Sequence, residues 1–248
     1  MVTIKTAEEI ALMRKANQIV RDTLLAVEEK IKAGMTTAQV DRIVHDYITK
    51  CGATPSFLGY EGHPASACVS IDEEVVHGIP DAERRIEEGQ IVSVDVGSIY
   101  KGYNGDAART FAIGEISAEK RRLIDVTKQS FFEGVKVLKA GVRLGDLGHA
   151  IQSYVEANGF SVVRALCGHG IGTDMHEDPE VLNFGKPGHG LRLKAGMTIA
   201  IEPMVNAGTY QVYMRENGWT VVTADGRPSA HYENTVAITE DGVEILSL

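Results

Sequence analysis

Ile31-Lys32-Ala33-Gly34 and Leu138-Lys139-Ala140-Gly141 stand 107 residues apart, and the same offset carries Tyr47 onto Tyr154 and Gly52 onto Gly159. It also carries the segment Ile86 to Asp95 onto Leu193 to Glu202, so that one carboxylate falls on another. A short string at a helix end recurs by chance, but separated segments sharing one offset point to internal duplication. Thr110 to Glu115 resembles Thr235 to Glu240 at an offset of 125, which implies an insertion of about 18 residues in the second half, around Trp219. This most restricts the fold: an α/β (α+β) chain of two related halves, about 6–115 and 117–240, facing each other across a pseudo-twofold axis. Helices would cover a shared, curved, mostly antiparallel sheet, and a site would lie where the halves meet.

The local signals fit that plan. Thr6 with Glu9 and Thr36 with Gln39 are capping boxes, the first opening a helix that should run to Gly34 and the second a helix closed by Gly52. Ser117 would cap a third helix ending at Gly141, and a fourth would run through Leu147 and Val155 to Gly159. Short β-branched runs predict strands at 91–96, 107–113, 197–201, 221–223 and 235–238. The 34 acidic against 25 basic residues leave a net charge of −9, a poor balance for a phosphate-backbone binder. No apolar run reaches the ~18 residues of a membrane span, no signal peptide opens the chain, and three cysteines without C-x-x-C spacing suit a reducing compartment, so a cytoplasmic protein is expected.

Carboxylates in apolar strands carry the chemistry. Asp95 and Asp106 flank Tyr100-Lys101-Gly102-Tyr103, which reads as a hairpin tip; an even loop puts both acids on one face. Glu202 and Glu233 enter similar strands in the second half and are expected to repeat the arrangement. Four acids among valines and alanines repel unless something positive lies between them, and two divalent cations would offset the charge. Oxygen-rich ligation favours harder ions such as manganese or iron(II). His169, between Gly168 and Gly170, offers an imidazole where the backbone can approach closely. Nucleotide-cradle, zincin and serine-elbow motifs fail on spacing.

The ordered motifs Val76-His77-Gly78-Ile79-Pro80, Val94-Asp95-Val96-Gly97, Asn104-Gly105-Asp106, Gly168-His169-Gly170-Ile171-Gly172, Ile201-Glu202-Pro203-Met204 and the Glu233 segment resemble the type I methionine aminopeptidases of bacteria, from Ile4 to about Ile245. The resemblance implies a single catalytic domain (1–248) of pita-bread fold that removes N-terminal methionine from nascent chains when the second residue is small. It implies two divalent ions (manganese, iron, cobalt or zinc) held by Asp95, Asp106, His169, Glu202 and Glu233, with Glu202 also shuttling protons. His77 and His176 would contact substrate rather than metal, and Phe57, Tyr60, His63, Cys68, Met175 and Trp219 would line the methionine pocket. Many relatives carry a cysteine near Phe57, a tyrosine at His63, a bulkier residue at Met175 and a glutamine at His231. The family expectation is a monomer acting near the ribosome, with methionyl peptides as partners, no membrane and no direct nucleic-acid contact. Prolidases and proline aminopeptidases share the ligand pattern but usually carry a large N-terminal domain, for which Thr6 leaves no room; a metal-free binding module would have lost ligands, and all five are present.

Overall fold

A computed structural model describes residues 2–248. The first part of the chain comprises helices α1 (Ala7–Glu28) and α2 (Thr37–Lys50), then strands β1 (Thr54–Pro55), β2 (Ala67–Ile71), β3 (Glu74–Val76), β4 (Ile91–Tyr100) and β5 (Tyr103–Ala112). Helices α3 (Ala118–Val135) and α4 (Leu144–Ala157) follow, then β6 (Ser161–Val162), β7 (Gly168–Gly170), β8 (Glu177–Val181), β9 (Thr198–Ile201) and β10 (Met204–Asn206). The chain closes with β11 (Val212–Met214), β12 (Val221–Thr223), β13 (Ser229–His231), β14 (Asn234–Ile238) and β15 (Val243–Ile245).

Both expected capping boxes form: the Thr6 and Thr36 hydroxyls accept from the backbone of Glu9 and Gln39, whose side chains accept in return. Burial on α1 recurs at Met13, Ala16, Val20, Leu24 and Val27, the three-to-four spacing that lays one stripe on the sheet. Two helices end earlier than their apolar periodicity predicts. Ile31 and Leu138 leave α1 and α3, because the N–H groups of Gly34 and Gly141 donate to the carbonyls of Ile86 and Leu193, at 2.8 and 2.9 Å. Backbone bonding to a distant segment replaces the final helical turns, and it does so at the same place in both parts of the chain.

Every strand pairing among the described residues is antiparallel, where the sequence suggests only a predominance, and the strands are divided among four sheets. The β4–β5 hairpin closes through Lys101 and Gly102, both at positive φ (49° and 84°), as a tight two-residue turn requires. It pairs Ile91 with Ala112 and Gly97 with Asp106. In the second part, β9 pairs with β14 (Thr198 with Ala237) and β10 with β13 (Met204 with His231) in one continuous register, broken only around Pro203. The two hairpins therefore match residue for residue, Ile91–Ile99 with Thr198–Asn206 and Asn104–Ala112 with Ser229–Ala237. The second differs in its connection, which is enlarged by the β11–β12 hairpin bearing Trp219.

The two largest apolar clusters of the core lie beneath the helices. Ile19, Val20, Leu24, Val69, Val92, Val94 and Val96 pack beneath α1 and α2, and Leu123, Phe131, Leu147, Ile151, Ile199, Ile201 and Val236 pack beneath α3 and α4. No sequence signal marked β7 or β8, since the glycines of one and the acids and proline of the other lack strand propensity; β7 is held by pairing with β9, and β8 by pairing with β7.

Candidate metal centre

The two hairpins are joined side by side. The amide of Asp106 donates to Thr235 Oγ1 (3.2 Å), whose hydroxyl donates back to the Asp106 carbonyl (3.0 Å). Arg109 stacks on the Tyr232 ring at 4.3 Å and donates to the Glu233 carbonyl at 2.6 Å. These bonds fix β5 against the start of β14, so that Asp106 and Glu233 face one another across the seam.

Asp95 and Asp106 project from one face, Asp106 lying diagonally across the ladder because Asp95 itself pairs with Ala108. Glu202 and Glu233 do not repeat this geometry. The register through the β9–β14 and β10–β13 ladders sets Glu233 directly opposite Glu202, and the strict counterpart of Asp106 is His231. His169 enters on β7, where no larger neighbours fit: a Cβ at Gly168 would lie 2.3 Å from the Ala200 carbonyl oxygen, and one at Gly170 2.1 Å from that of Asp178. Its Nδ1 lies 2.8 Å from the Gly170 carbonyl, and its Nε2 lies 3.6 Å from both Asp106 Oδ2 and Glu202 Oε1.

Charge accumulates without a protein partner. Burial raises the Asp95 carboxyl to about 7, and burial together with the neighbouring acids pushes Asp106, Glu202 and Glu233 well above the usual carboxylate range. Burial drives the imidazoles the other way, His169 and His77 to about 4 and His231 to about 3, leaving neutral rings at physiological pH. Asp95 Oδ1, Asp106 Oδ1, Glu233 Oε1 and His231 Nε2 are buried without hydrogen-bond partners. Two groups of ligand atoms converge, Asp106 with His169 and Glu233, and Asp95 with His231 and Glu233, each within 4.8 Å. Buried, unpartnered oxygen and imidazole donors around shared carboxylates fit divalent metal, which the family fold implies.

A cavity of about 140 Å³ opens onto these acids. Phe57, Tyr60, His63, Cys68, His77, His176 and Trp219 line it. Met175, expected in the methionine pocket, packs with Met13 and with the wall residues Phe57 and Cys68, and is 4% exposed. The His63 ring meets Trp219 edge-on at 5.1 Å and Phe57 at 6.4 Å. His176 stands exposed at the mouth, its Nδ1 2.7 Å from the Tyr60 hydroxyl and its ring 4.3 Å from that of His169. His77 occupies a left-handed backbone conformation (φ 60°), costly for a side-chain-bearing residue and typical of functional sites. Glu61 also lines the cavity. It was missed because it sits in a one-turn segment with no periodicity, itself at positive φ (50°).

This scaffold of paired antiparallel hairpins, with acids and an imidazole converging between them, defines the pita-bread metallopeptidases. The model of metallopeptidase family M24 matches residues 11–240. Methionine aminopeptidase of Clostridium acetobutylicum is 58% identical over 248 residues, covering 100% of this chain and 99% of the relative. Methionine aminopeptidase 1 of Bacillus subtilis is 48% identical over 247 residues, covering 100% and 99%. The crystal structure of methionine aminopeptidase from Thermotoga maritima superposes with a TM-score of 0.98 at 46% identity, covering 100% of this chain and 99% of that one. The chain belongs to family M24 and, within it, to the methionine aminopeptidases.

Proposed function

We propose that this protein removes the N-terminal methionine from peptides and nascent chains whose second residue is small, using two divalent ions. The observation that carries the reading is the pair of ligand groups sharing Glu233 at the floor of a cavity walled by Phe57, His63, Cys68 and Trp219. Asp95, Asp106, His169, Glu202 and Glu233 would hold the ions. Bound there, divalent ions supply Lewis acidity toward the scissile carbonyl and make a water acidic enough to attack at neutral pH.

The remaining steps belong to the side chains. Glu202, between the imidazoles of His169 and His231, accepts the proton of the attacking water and returns it to the leaving amine. With Tyr60 donating to Nδ1, His176 carries its proton on Nε2 and offers it to the substrate carbonyl as negative charge develops. His77 binds the following peptide unit. The apolar, sulfur-containing wall suits a flexible thioether, and the small enclosed volume limits the residue beside it. Full-length similarity to the methionine aminopeptidases supports action on methionyl peptides, and the family expectation extends this to a cytoplasmic monomer near the ribosome.

The peptides Met-Ala-Ser, Met-Leu-Ser, Leu-Ala-Ser and Ala-Pro-Ser, compared by kcat/KM, test both restrictions. Met-Ala-Ser should lead, Leu-Ala-Ser should be cleaved poorly and Met-Leu-Ser should be spared. Faster turnover of Ala-Pro-Ser than of Met-Ala-Ser would replace this reading with a proline aminopeptidase.

A further inference from the structure

His231 lies on β13 and is 2% exposed, with Nε2 buried and unpartnered. Buried polar nitrogens are almost always satisfied, so this one requires an explanation. Two carboxylate oxygens lie within 4 Å of it, Glu233 Oε2 at 3.7 Å and Glu202 Oε2 at 3.8 Å. Both distances are too long for hydrogen bonds. They do match the separation of two ligands on one ion, since tetrahedral bonds of ~2.1 Å place ligand atoms roughly 3.4 Å apart. His169 shows the same spacing, with Nε2 3.6 Å from Asp106 Oδ2 and from Glu202 Oε1. Glu202 thus directs one oxygen to each imidazole. His231 also takes the place in its hairpin that Asp106 takes in the other, on the face that carries the acids.

We propose that His231 is a sixth protein ligand, binding through Nε2 the ion held by Asp95 and Glu233, so that each ion receives one imidazole. The proposal rests on the dinuclear reading of the site. Its consequence is a softer, more nitrogen-rich environment on the Asp95 side than five ligands provide, which favours later transition metals there.

The test uses whole protein with ¹⁵N-labelled histidine, loaded with Co(II). A ring nitrogen bound directly to cobalt takes a large contact shift, and wild type should show two such nitrogens. His231→Gln should abolish one and His169→Ala the other. Calorimetric Co(II) titration of His231→Gln should show one binding event weakened about tenfold or more. A single shifted nitrogen in wild type, abolished by His169→Ala, would leave the metal centre standing and overturn the role of His231. Failure to bind cobalt, or no shifted nitrogen at all, would overturn the metal-centre reading and this proposal with it. Even if a variant fails to fold, a single shifted nitrogen in wild type overturns the proposal.

Discussion

Each acid at the seam does two things, offering an oxygen to the proposed ions and adding charge that the fold leaves uncompensated. Asp106 is the sharpest case, 3% exposed, with one carboxylate oxygen unpartnered and Asp95 and Glu202 beside it. Asp106→Asn keeps the shape and removes the charge, so bound divalent metal should fall by at least half by elemental analysis and turnover should be nearly lost. Full metal content with normal turnover would exclude Asp106 as a ligand. His176 makes a different prediction, because its ring is held by Tyr60 and stands exposed at the cavity mouth. His176→Ala should lower kcat by about a hundredfold, the scale of one lost oxyanion donor, while metal content stays near wild type. Tyr60→Phe should show a weaker version of the same loss, since it removes only the group that orients the ring. Loss of metal in His176→Ala would mean that this histidine is a ligand.

At the scale of elements, the capping boxes and the hairpins contribute to different quantities. The Thr36 hydroxyl accepts the Gln39 amide at 3.2 Å, and Gln39 Oε1 accepts the Thr36 amide at 2.9 Å, far from the cavity. Thr36→Ala should cost about 1 kcal/mol, or roughly 2–4 °C in Tm for a domain this size, with kcat/KM unchanged at 25 °C. A fall in kcat/KM without a fall in Tm would show that α2 acts on the site, against the expected separation. The β4–β5 hairpin and its counterpart instead set the positions of the proposed ligands. Asn104 on β5 donates to the Gly172 and Thr173 carbonyls at 3.2 and 3.1 Å, tying that strand to the chain that follows His169.

The whole molecule stores electrostatic repulsion at its midline, and this fixes how its stability responds to pH and metal. The buried carboxyls have raised folded-state values, so above the ordinary carboxylate range the folded chain binds more protons than the unfolded one and loses stability as pH rises. The lowered values of His77, His169 and His231 act in the opposite direction, but only below the usual imidazole value of about 6.5. Between pH 6.5 and 8.5 the carboxyls decide. Chelated protein should therefore melt at progressively lower temperature across that window. Saturating Mn(II) should raise Tm at both ends, and more at pH 8.5, because an ion that binds only the folded form stabilises it. An equal metal-induced rise at both ends would show that these carboxyls are not what the ions neutralise.

The sequence by itself determined the starts of the first three helices, the shared offset, the hairpin parity that places Asp95 and Asp106 on one face, and the acids and imidazole worth watching. These are local or arithmetic properties: a cap needs three residues, parity needs only an even loop, and a carboxylate among valines is conspicuous wherever the chain runs. Tertiary structure alone decided where α1 and α3 stop, because Ile86 and Leu193 capture the following glycines across more than fifty residues. It decided that Met175 packs against Phe57 and Cys68 and that Glu61 lines the cavity, since side-chain direction at a loop follows no period. It also decided that His231, not Glu233, is the counterpart of Asp106, because register is a relation between two strands and either strand alone is silent about it.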